Sequence, residues 1–354
     1  MRCTLERAVG RPAGIRIASE LVGSRIHQGG HNMRTVVGIC GNIAVTLLLG
    51  LSSVSAQQFP ARPIHFISPA AAGGGFDFVV RTISPKVSEA LGQPIVIENR
   101  GGAGGNVGTA LAAKAAPDGY TVVLAYIGTL AIAPWMYSDL GYHPLRNFAH
   151  ITQLTSVPLL AVVHPSVPAK TLKDLAAFAK AHAGQLTFGS AGASSQMTGE
   201  LFKIMTGTNI VHVPYKGASP AAIDLMGGHI GLAFMSPAAT TEHVRNGRLR
   251  GLAVTGTTRL AALPDVPTST EAGYPQLVVK DWYGVSAPAN TPREIISRLN
   301  AEFVRALKMP EIKDRLAVMG YETVGGSPEE FTAYVTSEYE RWGEIVKKSG
   351  VKAE

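Results

Sequence analysis

Three short segments of small and hydroxyl-bearing residues each follow a run of apolar residues. They read PAAAGGGFD (69–77), IGTLA (127–131) and GSAGASSQ (189–196). Each precedes a stretch with helical periodicity, so each is predicted to join the end of a strand to the start of a helix. The first turn of a helix leaves backbone N–H groups unpaired and carries a partial positive charge. The three segments are therefore candidate anion-binding loops.

The first loop offers backbone donors, because its three consecutive glycines let a ligand approach the main chain closely. Asp77 can cap the following helix, and no arginine falls in any of the three loops. A hydrogen bond to a charged group contributes about 1.5–3 kcal/mol, so three or four amide and hydroxyl donors reach roughly micromolar affinity. Such donors suit a carboxylate, and a phosphate or another inorganic oxyanion fits the same description.

Signals for catalysis, metal binding and nucleotide binding are weak. No histidines after residue 56 are spaced by three or four residues, as helix-borne metal ligands are. The segment FGSAGA (188–193) lacks the first glycine of a nucleophile elbow, and GGAGGNVG (101–108) has Val107 where a dinucleotide fingerprint needs glycine. We expect no enzyme activity, metal or cofactor. A secreted serine hydrolase that uses Ser190 or Ser195 is the alternative.

The N-terminal segment has the pattern of an export signal. Arg34 precedes an apolar run (35–53), which is followed by the small-x-small motif VSA (54–56). We expect the natural start at Met33 and cleavage near Ala56, which would release the protein into the periplasm. A transmembrane anchor is disfavoured, because the run is short, interrupted by glycine and followed by a cleavage motif.

Removal of residues 1–56 changes the composition of the chain. Both cysteines, Cys3 and Cys40, belong to that segment, so the mature protein would contain no thiol and no disulfide. The segment also holds six arginines and two glutamates, which leaves about +3 of the net charge of +7 for residues 57–354. That charge is too small to predict nucleic-acid binding.

The rest of the chain alternates short apolar runs with helical patterns, which predicts an α/β fold with mostly parallel sheets. Thr171 is a predicted N-cap, and Pro85 is predicted to kink or divide its helix after Ser84. Predicted strands cover 64–68, 95–98, 121–126, 186–189, 210–213, 230–234 and 249–255. Predicted helices begin near Asp77 and Asn106 and cover 171–181, 195–206, 219–227, 293–307 and 327–348.

Two extended runs are candidates for crossings between two lobes. They are LLAVVHP (159–165) and DWYGVSAPA (281–289). Two crossings mean that neither lobe is one continuous segment. We expect one lobe to comprise 57–157 with 284–354, and the other to comprise 158–283. The aromatic residues of the last helix, which are expected to pack against a lobe, are Phe331, Tyr334, Tyr339 and Trp342.

Nine stretches in order along the chain carry a family resemblance. They are PAAAGGGFD (69–77), GQPIVIENRGGAGGNVG (92–108), AAPDGYT (115–121), GTLAIAP (128–134), VVHPSVPAKTLKDL (162–175), GELFK (199–203), VHVPYKGASPA (211–221), LPDVPTSTEAG (263–273) and DWYGVSAPANTP (281–292). From about Gln57 to Val351 the chain resembles the Bug, or TctC-like, extracytoplasmic solute receptors of tripartite tricarboxylate transporters.

The resemblance implies a fold like that of type II periplasmic binding proteins, in which two α/β lobes joined by two crossing strands close on a small carboxylate. It implies a monomer that delivers its ligand to a membrane permease or to a sensor. Backbone amides of the first loop would hold the carboxylate, and a loop of the other lobe would complete the site. The implied ligand-binding residues are Gly73, Gly74, Gly75, Phe76, Asp77, Gly128, Thr129, Ser190, Gly192, Ser194, Ser195, Gln196 and Met235.

Several positions depart from the family pattern. Gly75 replaces a common hydroxyl residue, and Gln196 replaces a common histidine. Met235 follows Phe234 where many members have aspartate, and loss of that acid disfavours an amino-acid ligand. Phe76 and Met235 would make the pocket more apolar, which favours an aromatic or aliphatic carboxylate. The alternative is that both side chains point away from the site.

Overall fold

The computed structural model describes residues 59–352, apart from Ala71, Gly73, Gly74 and Lys216. The predicted export signal and its cleavage site lie outside the described residues. No helix among the described residues combines the length and hydrophobicity needed to span a membrane.

Within the described residues, eleven strands form two sheets. The strands are β1 Ile64–Ser68, β2 Ile95–Asn99, β3 Thr121–Tyr126, β4 Phe148–Pro158, β5 Leu160–Val163, β6 Thr187–Ser190, β7 Val211–Pro214, β8 Leu232–Met235, β9 Arg250–Val254, β10 Lys280–Pro288 and β11 Glu322–Gly325. The first sheet has the order β11-β4-β10-β3-β1-β2, and the second has the order β7-β6-β8-β5-β9.

Helices cover the faces and connect the strands of both sheets. They are α1 Gly75–Leu91, α2 Asn106–Ala113, α3 Ala133–Met136, α4 Leu172–Ala181, α5 Ala193–Thr206, α6 Ala218–Met226, α7 Pro237–Arg245, α8 Arg293–Lys308, α9 Pro310–Ala317 and α10 Pro328–Ser349. A π-helical segment, Gly128–Ile132, follows β3.

Local sequence signals predicted most of these elements. All seven predicted strands occur, with ends within two residues of the predicted ends. Thr171 caps α4 as predicted: its hydroxyl accepts the N–H of Asp174 at 3.1 Å, and the Asp174 carboxylate accepts the N–H of Thr171 at 3.1 Å. Helix α1 continues through Pro85, so the predicted division after Ser84 does not occur.

Two features of the sheets differ from the prediction. Both sheets are mixed, because β10 runs antiparallel to β3 and β4, and β5 runs antiparallel to β8 and β9. Strand β4, which lies inside the first sheet, was not predicted. Its sequence FAHITQLTSVP mixes polar with apolar residues, yet Thr152, Gln153 and Thr155 are buried there. A search for apolar runs misses such a strand.

The two sheets are connected at one place by two stretches of chain. Strand β4 ends at Pro158 and β5 begins at Leu160, while the return stretch passes through Val279 into β10. Thr255 joins these stretches: its hydroxyl accepts the N–H of Leu159 at 2.8 Å and donates to the carbonyl of Val279. Its backbone also bonds to both residues, at 2.8 and 2.9 Å. The lobe boundaries at 157/158 and 283/284 stay a prediction.

A buried hydrogen bond and aromatic packing connect the last helix, α10, to β10. The indole N–H groups of Trp282 and Trp342 both donate to the Glu338 carboxylate, at 3.3 and 3.1 Å. Phe331 packs edge-to-face on Trp282 with a centroid distance of 5.7 Å. Helix α10 also contacts α5 and the π-helical segment. The predicted packing role of these aromatic residues is confirmed.

We predict that Thr255→Val lowers the free energy of unfolding by about 1–3 kcal/mol, because the buried N–H of Leu159 would lose its acceptor. Thr255→Ser keeps the hydroxyl, so its free energy of unfolding should fall by less than half of that amount. Urea denaturation measures both values. Equal losses for the two variants would show that the hydroxyl does not join the two stretches.

Candidate functional site

One edge of the first sheet gathers two of the three predicted loops. Strands β1 and β3 are adjacent and parallel, so the loops that follow them, 69–77 and 127–131, leave the sheet at the same edge. Strand β10 is antiparallel to β3, with Tyr283 paired to Tyr126. The amino end of β10, beginning with Lys280 and Asp281, therefore reaches the same edge.

Four aromatic residues, which we call the aromatic cluster, pack together there: Phe76, Tyr126, Tyr283 and Tyr321. The Phe76 ring lies 4.5 Å from the ring of Tyr126 and 4.8 Å from that of Tyr283, between centroids. Tyr283 and Tyr321 are hydrogen-bonded through their hydroxyls, with ring centroids 5.7 Å apart. Burial raises the pKa of all three tyrosines, so their hydroxyls stay neutral. Phe76 thus belongs to an apolar wall at this edge.

Asp281 is a half-buried acid whose charge reaches the tyrosines of the aromatic cluster. Its charge contributes to the raised pKa of Tyr126, Tyr283 and Tyr321. Burial raises the pKa of Asp281 itself to about 6, and a hydrogen bond from Ser194 opposes that rise. Its Oδ1 atom is buried and has no hydrogen-bond partner among the described residues. Because Ser194 belongs to the third loop, the carboxylate links the loops of both sheets.

Asp281 is not among the site residues predicted from the sequence. The available signal was an acidic residue directly before two aromatic residues, in the predicted second crossing DWYGVSAPA. That signal did not specify which face of the strand the acid would occupy, because the pairing register of β10 was not known.

The start of the first loop's helix is tightly packed. Gly73 and Gly74 lie outside the described residues, and Gly75 begins α1. A Cβ atom on Gly75 would lie 2.3 Å from the hydroxyl oxygen of Tyr321 and 3.8 Å from that of Tyr283. Glycine at 75 is therefore explained by the close approach of the aromatic cluster.

Asp77 has a structural role in the first turn of α1. Its buried carboxylate forms an ion pair with Arg81 at 2.8 Å and accepts a hydrogen bond from the Asn99 side chain at 3.3 Å. The same Asn99 amide donates to the carbonyl of Ala70 at 3.1 Å. Asp77 and Asn99 thus tie α1 and the first loop to the end of β2.

The second predicted loop forms the π-helical segment. A Cβ atom on Gly128 would lie 2.4 Å from the ring of Tyr126, so this glycine too is required by the aromatic cluster. Thr129 is completely buried, and its hydroxyl donates to the carbonyl of Tyr126 at 3.4 Å. A hydrogen bond from the Tyr142 hydroxyl at 2.8 Å occupies the Thr129 carbonyl. Ligand contacts of Gly128 and Thr129 stay a prediction.

The third predicted loop leads into α5. Exposed Gly192 occupies the N-cap position without a side-chain cap, and Ser194 and Gln196 are half-buried in the first turn. Buried Ser195 accepts the N–H of Ala191 at 2.9 Å and donates to the carbonyl of Gly192 at 3.0 Å. The Ser195 hydroxyl therefore shapes the loop, whereas the start of α5 keeps exposed backbone.

Ser190 is paired with a histidine. Its hydroxyl lies 2.7 Å from Nε2 of His212. Burial lowers the pKa of His212, while the charge of Glu200 opposes that shift. In a nucleophilic triad a third group orients the histidine. Within the described part of the chain, Nδ1 of His212 has no hydrogen-bond partner of that kind. The geometry of this pair is that of a hydrogen bond between a buried serine and a neutral, half-buried histidine.

Met235 lies in the hydrophobic core of the second sheet. It is 3% exposed and pairs with Leu160 in the register of β8 and β5. Its cluster includes Val254 and Leu225. The neighbouring Phe234 is fully buried and packs against Phe202. These contacts account for Met235 as a packing residue, and a ligand contact at this position stays a prediction.

The glycine-rich segment GGAGGNVG (101–108) packs against the first loop and against Tyr126. The Tyr126 hydroxyl donates to the carbonyl of Gly104. Gly105 has φ of +91°, and a Cβ there would lie 2.9 Å from the carbonyl oxygen of Pro69. The segment therefore packs against the first loop and orients Tyr126, and it needs glycine for both backbone conformation and space.

Comparison with known proteins identifies the family. The model described as "Tripartite tricarboxylate transporter family receptor" matches residues 79–351. The chain belongs to this family. Protein BugT of Bordetella pertussis is 35% identical over 324 residues, which cover 91% of this chain and 99% of BugT. The resemblance seen in the sequence is confirmed, and the protein is a solute-binding receptor.

Solved structures of family relatives have the same fold. An R. palustris protein solved with adipate has a TM-score of 0.75 and 34% identity, covering 83% of this chain and 99% of its own. MatC from Rhodopseudomonas palustris, solved with bound malate, has a TM-score of 0.73 and 32% identity, covering 81% and 100%. The predicted fold of the type II periplasmic binding proteins is confirmed.

We predict that Gly75→Ala lowers the free energy of unfolding by about 1–3 kcal/mol, because the new methyl group would clash with the Tyr321 hydroxyl. Tyr321→Phe removes that hydroxyl. In the double variant, the substitution at Gly75 should therefore be at least about 1 kcal/mol less damaging than in the wild type. A double-mutant cycle by chemical denaturation measures the coupling, and additive effects would contradict the contact.

Proposed function

We propose that this protein captures a small organic carboxylate in the periplasm and delivers it to the membrane permease of a tripartite transporter or to a sensor. The observation that carries the proposal is that two family relatives, each more than 30% identical over their whole length, were solved with adipate and malate. We further propose export by cleavage near Ala56 and function as a monomer.

The helix starts supply the proposed carboxylate contacts. Helices α1 and α5 each begin in a predicted loop, and their first N–H groups point out of the helix with the positive end of the helix dipole. The proposed contacts are backbone amides of 73–77 and 190–196, with Gly128 and Thr129 beside them. Neutral donors of this kind favour a singly charged carboxylate over a highly charged phosphate, because the loops contain no arginine.

The aromatic cluster supports a ligand with an apolar body. Phe76 and Tyr126 are only half-buried, so part of each ring can cover a ligand. Each Å² of apolar surface that a ligand and the protein remove from water contributes about 25 cal/mol of favourable free energy to binding. We therefore propose an aromatic or aliphatic acid whose apolar part packs on Phe76 and Tyr126, while its carboxylate is bound by the helix starts.

The hydrolase alternative receives little support. Ser190 is buried and its only histidine contact among the described residues is with neutral His212. Ser195 uses its hydroxyl within the loop. Neither serine combines exposure with an oriented base, which an activated nucleophile requires.

We predict that isothermal titration of the purified protein against a panel of aromatic and aliphatic carboxylates finds at least one ligand of about micromolar affinity. Gly192→Val should weaken that binding by about tenfold or more, because its side chain would cover the start of α5. Its cost in stability should stay at about 1 kcal/mol, since a Cβ atom there meets no protein atom within 4 Å and valine is only a poorer N-cap than glycine.

Ala177→Val, which adds bulk on the exposed face of α4, is the matched control and should bind as the wild type does. A panel with no binding member would refute the proposal. Unchanged binding by Gly192→Val would instead remove the start of α5 from the site.

A further inference from the structure

The half-buried carboxylate of Asp281 has few hydrogen-bond partners among the described residues. Ser194 provides one hydrogen bond to it, while its Oδ1 atom is buried with no partner among the described residues. An ionised carboxylate can accept about four hydrogen bonds, and its burial without compensation is strongly unfavourable. One oxygen of this acidic group therefore has an acceptor position that a ligand could fill.

The charged residue beside Asp281 does not supply that partner. Side chains alternate across a strand, so Lys280 points to the opposite face of β10, where it pairs with Glu322 at 2.9 Å. No lysine, arginine or histidine among the described residues forms an ion pair with Asp281. The surrounding titratable groups are Tyr126, Tyr283, Tyr321 and Tyr334, whose pKa values are all raised, so they remain neutral.

The aromatic cluster adds a second feature that suits a cation. The faces of aromatic rings carry negative charge density and attract ammonium groups within about 6 Å. Phe76 and Tyr126, whose rings pack on each other, are half-buried, and the charge of Asp281 reaches Tyr126. A carboxylate oxygen without a hydrogen-bond partner, close to partly exposed aromatic rings, is a combination that suits a protonated amine.

We propose that Asp281 is a specificity-determining residue, which binds a cationic amine on the ligand and disfavours a second carboxylate at that position. This inference rests on the proposed function, because it assumes that the helix starts bind the ligand's first carboxylate. The ligand is then an amino acid or a longer amino carboxylate. Asp281 supplies from β10 the acidic group that Met235 does not supply from β8.

Asp281 lies close to the loops that we assign to the ligand carboxylate. The residue lies on the stretch that connects the sheets, and its hydrogen bond reaches Ser194 at the start of α5. Its neighbours Tyr126 and Phe76 adjoin the start of α1. A ligand amine bound by Asp281 would thus be within the same group of loops that we assign to the ligand carboxylate.

Two matched ligand series test the proposal by calorimetry at pH 8. The first varies the far end of a four-carbon chain: 5-aminopentanoate, hexanoate and adipate. The second varies the group beside the carboxylate: norvaline, 2-methylpentanoate and propylmalonate. In at least one series the amine should bind about tenfold or more tightly than its methyl analogue, and the dicarboxylate should bind more weakly than the methyl analogue.

Asp281→Asn should reduce the preference for the amine to about threefold or less, while binding of the methyl analogue stays within about threefold of the wild type. Asp314→Asn, which neutralises an exposed acid on α9, is the control and should keep the wild-type preference. Circular dichroism and thermal unfolding would confirm that both variants are folded.

A pH series gives a second readout that needs no substitution. Burial raises the pKa of Asp281 to about 6, so the carboxylate becomes neutral as the pH falls below that value. The preference for the amine over the methyl analogue should therefore decrease between pH 8 and pH 5 in the wild type. It should not change with pH in Asp281→Asn, because the ligand amine stays charged throughout.

The outcomes separate this inference from the proposed function. Binding of methyl analogues without a preference for amines would refute the role of Asp281 and leave the carboxylate receptor intact. An equal amine preference in Asp281→Asn, or tightest binding of a dicarboxylate by the wild type, would also refute it. Failure of all six compounds to bind, with binding of another member of the wider carboxylate panel, would refute the inference and leave the proposed function intact.

Discussion

The pairing of β10 between β3 and β4 is the constraint on which the site depends. Tyr283 opposes Tyr126 on one side, and Trp282 opposes Ser156 on the other. Because side chains alternate, this register turns Asp281 and Tyr283 toward one face and sends Trp282 to the opposite face, against α10. A slip by one residue would exchange the two faces and remove both the acid and the tyrosine from the site.

Charge is distributed unevenly around the loops. In the proposed site, the starts of α1 and α5 offer neutral N–H groups to the ligand carboxylate, whereas Asp281 is an acid with one hydrogen bond, from Ser194, among the described residues. The three predicted loops, 69–77, 127–131 and 189–196, contain no arginine and no lysine. If Asp281 contacts the ligand as we propose, discrimination among ligands would depend on how well the second end of the ligand compensates this acid, since an unpaired charge removed from water is strongly unfavourable.

The glycines of the candidate site have different structural surroundings, although the segments that contain them have similar compositions. Gly75 and Gly128 are required because aromatic rings approach the backbone too closely for a side chain. Gly105 combines a left-handed conformation with close packing against Pro69, and the segment around it orients Tyr126. Gly192, by contrast, has free space around it. Of these four glycines, only Gly192 would accept a Cβ atom without a close contact.

The sequence by itself determined the family, the seven predicted strands and the cap at Thr171, because these depend on residues close together in the chain or on motifs in order along it. It did not reveal β4, whose buried threonines lack an apolar pattern. It also did not reveal that Asp281, Tyr126 and Ser194 meet. Only the tertiary structure decided that, because residues so far apart in sequence are brought together by strand order, pairing register and the connection between the two sheets.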